Sequence, residues 1–228
     1  MPLIDLSHTI EHGMTTYPGL PAPLICDYLS REASRSRYAD GVEFQIGRID
    51  LIANTGTYLD TPFHRYADGD DLAALPLECV AGLPAIRVSF APGSERAITR
   101  ARLDRAIGAR DIAGMAVLVH TGWDAYWRTE QYGTANPFLA ADACELLLER
   151  GAALAGIDSV NIDDLEDRSR PAHSLLLRRG VPIIEHMTNL GPVPETGCRF
   201  YAVPPKVTGM GTFPVRAFAQ ASAPARGS

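Results

Sequence analysis

Seventeen prolines and twenty glycines are spread along the 228 residues, and they break the chain into short elements. Proline fixes its own φ and removes a backbone donor, while glycine stops helices and opens turns. Leu3-Ile4-Asp5-Leu6 reads as an opening strand. Phe44 to Ile52 alternates apolar and polar residues with a slip near Gly47, the pattern of a strand with a bulge. Ala85 to Phe90 alternates more cleanly, and Ala116 to His120 reads as a buried strand. Ile157, Ile183-Ile184 and Phe200 to Val203 mark further strands. Helices are predicted after a Thr99 N-cap over 100–107, over 140–150 with Gly151 as its stop, and over 172–179 between Pro171 and Gly180. No regular βαβ repeat appears, so the expectation is one α/β or α+β domain over residues 1–220. Residues 11–41 are rich in Gly, Pro and Ser and lack a period, which predicts a functional or mobile loop. Residues 221–228 are small and polar and are expected to form a flexible tail.

Charge and apolar pattern exclude several classes of function. The net charge is −6 with no long run of one sign, which argues against a nucleic-acid surface. Apolar runs such as Met115–Val119 are too short to span a bilayer, so no membrane partner is expected. The opening MPLIDLSHTI lacks the basic and apolar segments of a signal peptide, and the expected location is cytoplasmic. Cys26, Cys79, Cys144 and Cys198 form no Cys-x-x-Cys pair and are expected to be free thiols.

Chemistry concentrates around Asp60-Thr61-Pro62-Phe63-His64. Pro62 restricts Thr61 to extended geometry, which lets Asp60 and His64 stand on one side of a stiff turn. A carboxylate beside an imidazole raises its pKa and sets its tautomer, as a general acid/base requires. The plain alternative is that Asp60 caps a turn and His64 a strand end. His173, in the first turn of a short helix, and Glu185, closing an apolar strand, form a second pair. A carboxylate at the end of a buried strand needs a cation or an arginine partner. Asp158 could orient a histidine, whereas Asp163 and Asp164 read as turn caps. Trp123, Tyr126 and Trp127 could wall a pocket for a flat substrate or belong to the core. The pair in Gly209-Met210-Gly211 matches no phosphate loop, and no Gly-x-Ser-x-Gly elbow is present.

Taken in order, these residues resemble the cyclase family that includes bacterial kynurenine formamidase and isatin hydrolase. The resemblance runs from Ile4-Asp5-Leu6-Ser7 and Tyr17-Pro18-Gly19 through His120-Thr121-Gly122-Trp123, Gly156-Ile157-Asp158 and His173-Ser174-Leu175. It continues to Ile184-Glu185-His186-Met187-Thr188-Asn189-Leu190 and Phe213-Pro214-Val215-Arg216. The family motif His-x-Gly-Thr-His-x-Asp-x-Pro-x-His stands here as Asn54-Thr-Gly-Thr-Tyr58-Leu-Asp60-Thr-Pro-Phe-His64. The resemblance implies a single domain of mixed β-sheets with a barrel-like core and few helices, of the swivelling β/β/α type. It also implies a homodimer or homotetramer.

In the family the first two histidines of the motif bind one metal, and the aspartate bridges to a second. The last histidine moves protons, and a later histidine and glutamate complete the second metal position. Carried over, Asp60, His173 and Glu185 are the expected ligands of at most one metal, zinc or manganese, because an amide or a neutral phenol is a poor substitute for imidazole. The alternative is that Tyr58 acts as a hydrogen-bond donor and no metal is used. The expected activity is hydrolysis of a small cyclic or aryl amide, lactam or lactone. His64 would be the acid/base with Asp60, Tyr58 or Asn54 would donate to an oxyanion, and Tyr17 and Trp123 would contact substrate. A metal-independent cyclase or dehydratase, with Tyr58 as acid, is the second reading. A silent small-molecule-binding protein is the third.

Overall fold

The computed structural model describes residues 2–17, 19–91, 93 and 95–221. In chain order the elements are β1 (Leu3–Asp5), β2 (Leu24–Leu29), α1 (Arg31–Ser34), β3 (Ile46–Asp50), β4 (Tyr58–Asp60), β5 (Ala81–Ser89), β6 (Ala97–Ile98) and α2 (Arg100–Ile107). They continue with β7 (Ala116–His120), β8 (Phe138–Leu139), α3 (Ala141–Glu149), β9 (Leu154–Ile157), α4 (Pro171–Arg178), β10 (Ile183–Glu185), β11 (Cys198–Tyr201), β12 (Thr212–Pro214) and β13 (Phe218–Ala221). Nine strands form one curled sheet in the order β1-β13-β11-β5-β7-β9-β10-β4-β12. Its centre, β5-β7-β9-β10, is parallel, and both flanks are antiparallel. The fold is therefore a single α/β domain with few helices, as the family resemblance implies.

The period of two along each strand divides the core into two layers. Val117, Val119, Ala155, Ile157 and Ile183 pack with Leu103 and Ile107 of α2, Leu147 of α3 and Leu176 of α4. Ala116, Leu118, Leu154, Ile184 and Leu59 face the other way, against Leu6, Met187 and Phe200. Leu59 and Ile184 are thus committed to the second layer. Their neighbours Tyr58, Asp60, Ile183 and Glu185 must point to the α4 side. The register places Glu185 opposite Tyr58 and Ile183 opposite Asp60. Sheet pairing alone therefore brings a phenol and two carboxylates onto one face, beneath α4.

The helices over 100–107 and 140–150 are found within a residue of their expected bounds, and α4 begins at Pro171. The sequence reading differs from the structure elsewhere. Residues 11–41 contain strand β2 and helix α1, and β2 pairs with β3. The irregularity in that pair falls between Asp27 and Leu29, opposite Gly47 and Ile46, so the extra residue sits on β2 beside the expected slip. Tyr58–Asp60 is a strand, and the turn begins only at Pro62. Ala221 closes β13 instead of starting a tail, and residues 222–228 lie outside the described residues. Among the described residues the four cysteines are free and no helix is long and apolar enough to cross a membrane.

Candidate active site

Asp60 ends β4 with its side chain fully buried, a placement that is costly without partners. Its Oδ1 accepts a 2.6 Å hydrogen bond from the Thr212 hydroxyl, while Oδ2 is buried with no hydrogen-bond partner. Thr212 stands opposite Asp60 because β12 pairs with β4. That approach depends on Gly211, where a Cβ would lie 2.2 Å from the His64 backbone nitrogen. The Gly209-Met210-Gly211 stretch thus has a packing role at the site. The Thr212 oxygen is also 2.7 Å from His64 Nδ1. A hydroxyl has one proton. Thr212 gives it to Asp60, so His64 Nδ1 must supply the other, leaving Nε2 as the free basic atom. The direct Asp60–His64 separation is 3.8 Å. The expected pair is therefore bridged by Thr212, which no sequence signal singled out. The His64 side chain is 34% exposed, and this is where the cluster meets solvent.

His173 is held from behind. Asp163 lies 2.6 Å from its Nδ1 and also accepts from the backbone N–H groups of Ala172 and His173 at the start of α4. Asp163 does cap a turn, as the sequence suggested, but it is also the residue that orients a site histidine. Asp158 reaches no histidine of this cluster, its Oδ2 lying 4.0 Å from His120 Nε2. It accepts from Thr121 and Gly122, and fixes the turn after β7. With Nδ1 committed, His173 Nε2 faces Asp60 Oδ2 and Glu185 Oε1, each 3.6 Å away. Burial alone would lower the His173 pKa, but Glu185, Asp163 and Asp60 together raise it to about 10.

Glu185 is 1% exposed, and both of its oxygens are engaged. Oε1 accepts from the Ile162 N–H at 2.6 Å, and Oε2 accepts from the Tyr58 hydroxyl at 2.5 Å. Burial, reinforced by Asp60, pushes the Glu185 pKa up, and His173 holds it down. Burial and the charge of Glu185 push the Tyr58 hydroxyl well above its usual range. Its single proton is committed to Glu185, so the expected role of Tyr58 as an oxyanion donor or a general acid is replaced by that of a partner to Glu185. The Tyr17 hydroxyl lies 3.4 Å from that of Tyr58 and donates to the Val160 carbonyl at 2.5 Å. Asn161 donates to Tyr17 at 2.8 Å.

The remaining expected residues divide. His186 packs edge-on or tilted against Tyr17, Tyr58, Tyr132 and Trp127, with ring centroids 5.1–5.7 Å apart. Trp127 is therefore the tryptophan of this aromatic group. Trp123 lies tilted against Tyr126 and lines a separate cavity of about 50 Å³ with Phe90, Arg96 and Pro137. Asn54 is half-buried on the approach to β4 and makes no hydrogen bond to Asp60, His173 or Glu185.

The donor set fits one divalent cation. Two ligand atoms of a tetrahedral ion, each about 2.1 Å from it, lie about 3.4 Å apart. The two 3.6 Å separations around His173 Nε2 are close to that spacing, and Asp60 Oδ2 is an uncommitted anionic oxygen. One ligand atom from each of Asp60, His64 and His173 lies within 4.8 Å of the others, which would put His64 beside an ion held by Asp60 and His173. A second cation does not fit. Asn54 and Tyr58 offer no strong ligand, and the Tyr58 hydroxyl is bound to Glu185.

Residues 4–164 match the Cyclase family model. A kynurenine formamidase from Bacillus cereus is 28% identical over 220 residues, covering 94% of this chain and 95% of that protein. One from Paracidovorax citrulli is 30% identical over 218 residues, covering 94% of each. Among solved structures, a "potential metal-dependent hydrolase with cyclase activity" superposes with a TM-score of 0.76 at 26% identity, covering 98% of this chain and 99% of that one. An isatin hydrolase bound to thioisatinate superposes with a TM-score of 0.79 at 21% identity over 95% of this chain and 91% of its own, a likeness of fold.

Proposed function

The chain belongs to the cyclase family, and from that premise we propose that it is a hydrolase of the C–N bond of a small aryl or cyclic amide. The observation that carries this reading is the grouping of Asp60, His64 and His173 within 4.8 Å of one another, with Glu185 beside His173 and the His64 Nε2 left free by Thr212. Relatives named kynurenine formamidase over nearly the whole chain support the bond type.

Asp60, His173 and Glu185 would hold one zinc or manganese ion, with Asp163 fixing the His173 ring from behind. When bound, the ion supplies Lewis acidity for the carbonyl and lowers the pKa of water. Proton movement falls to His64. Its Nε2 accepts a proton from the attacking water and returns it to the leaving nitrogen, while Thr212 and Asp60 hold the ring and stabilise the imidazolium between the two steps. Tyr58 keeps Glu185 in place, and Tyr17, the partly exposed member of the aromatic group, is the residue that would meet a flat substrate.

The test is a panel of aryl formamides, aryl lactams and lactones offered to enzyme supplied with zinc or manganese and followed by absorbance. Amide or lactam opening is expected, with His64→Gln lowering kcat about 100-fold or more. Failure to open any of these, together with a chelator-resistant ring closure or dehydration of a β-keto substrate, would replace hydrolysis with cyclase chemistry.

A further inference from the structure

Residues 135–139 supply no atom to the cluster of Asp60, His64, His173 and Glu185, yet they bond to the loop that holds two of them. Ala135 has a φ of +50°, a left-handed conformation that residues with a side chain rarely adopt. Pro137 restricts Asn136, before it, to extended geometry. Asn136 is fully buried. Its Nδ2 donates to the carbonyls of Asn161 and Asp163, both at 3.0 Å, with the Pro137 carbonyl at 3.2 Å. Three carbonyls around one end of the amide fix which end is the nitrogen. Its Oδ1 is buried with no hydrogen-bond partner among the described residues. An amide that leaves its own oxygen unpaired is a poor filler of space; what it supplies here is two N–H groups.

The carbonyls that receive those N–H groups lie on either side of Ile162. The Ile162 N–H donates to Glu185 Oε1 at 2.6 Å, and Asp163 Oδ2 lies 2.6 Å from His173 Nδ1. The Asn161 carbonyl and the Ile162 N–H are the two ends of one planar trans peptide, so they point in opposite directions. Fixing that carbonyl on Asn136 therefore aims the N–H at Glu185. Hydrogen bonds in such a chain polarise one another, which strengthens the hold on the carboxylate. The Leu139 N–H donates to the Ile162 carbonyl at 2.9 Å, so the carbonyls of Asn161, Ile162 and Asp163 are all bound by residues 136–139. Arg96 ties the outer side. Its Nε donates to the Asn136 carbonyl at 3.3 Å and a terminal nitrogen to Asp164 Oδ1 at 2.7 Å.

We infer that Asn136 is a positioning residue for the cation centre, acting on Glu185 and His173 through the loop 161–163. The inference rests on the proposed single-cation site. Asn136 bonds to neither ligand, so its loss leaves every donor atom available and disturbs only their spacing. A group that orients a ligand from behind is worth about 10–100-fold in affinity, and Asn136, one hydrogen bond further out, should lie near the lower end, about tenfold.

The test is a titration of cobalt(II), whose visible bands report the geometry of its ligands, into metal-free full-length protein against a competing chelator. Asn136→Leu keeps the bulk of the side chain and removes both N–H groups. It should weaken cobalt binding about tenfold and change the bands. Leu103→Ala, in the core on α2, should lower the unfolding temperature but leave affinity and bands at wild-type values, which separates positioning from a general loss of stability. Wild-type affinity and bands in Asn136→Leu overturn the inference. If that variant does not fold, hydrogen exchange of the wild type decides. Coupling is reciprocal, so a centre positioned by residues 136–139 must steady them in turn. Cobalt should then slow exchange of the Leu139 amide about tenfold more than that of the Leu103 amide, and equal slowing overturns the inference. A wild-type protein that takes up no ion sinks the single-cation site and this inference together. Bound ion with an unaltered variant sinks the inference alone.

Discussion

Tyr58 and Glu185 are direct cross-strand partners in the β4–β10 pair, and the Tyr58 hydroxyl donates to Glu185 Oε2 at 2.5 Å. A family metal-ligand position is therefore occupied by a neutral group that binds the neighbouring ligand. Tyr58→Phe should lower stability by about 1–3 kcal/mol, the cost of leaving a buried oxygen without its partner. The midpoint of urea unfolding measures it, and an unchanged midpoint would show that the bond contributes nothing.

The same relationship limits the centre to one cation. Purified protein should hold about one equivalent of zinc or manganese, and Asn54→His/Tyr58→His should raise this to about two by restoring two imidazole ligands. Elemental analysis after dialysis is the measurement. One equivalent in both proteins would mean that the barrier lies elsewhere.

Metal and proton compete for His173. Its pKa is raised from 6.5 to about 10, so the ring carries a proton at neutral pH when no cation is bound. Its contribution to metal-free stability is complete below about 6.5 and is lost as the pH rises through about 10. Zinc binding must expel that proton, so affinity should rise about tenfold per pH unit between pH 7 and 9, buffer ionisation aside. Calorimetry in two buffers of different ionisation enthalpy should count about one proton released from this group.

Asp163 acts on the ion only through the His173 ring. Asp163→Asn should weaken metal binding by about 10–100-fold and reduce the proton count, because the substituted amide no longer supports the imidazolium. A competition titration with a chromophoric chelator reads this directly. Unchanged affinity would reduce Asp163 to a helix cap.

His8 titrates in the opposite sense. Burial, opposed in part by Asp124, lowers its pKa from 6.5 to about 4. The unfolded chain then takes up the proton first, so the stability this group contributes is present above about pH 6.5 and is lost as the pH falls toward 4. His8→Gln should flatten the loss by on the order of 2 kcal/mol, allowing for partial exposure. Unfolding midpoints at three pH values across that interval are enough to see it.

Much of the site was legible without coordinates. Asp60, His64, His173 and Glu185 were recognisable from residue type, spacing and family pattern, and the alternation of Leu59 with Tyr58 and Asp60 follows from the strand period. Helices α2 and α3 were legible because their caps and stops are local signals. Thr212 and Asp163 in its orienting role were not, because each acquires its function from a neighbour that is remote in the chain. Thr212 lies 152 residues from Asp60. Strand β2 was hidden because Leu24, Ile25 and Cys26 run together without the alternation that marks β3. The residues themselves determined which donors and acids are available and how short each element must be. Only the tertiary structure decided that the Tyr58 proton belongs to Glu185, because sheet register, which no local sequence pattern encodes, sets which side chains share a face.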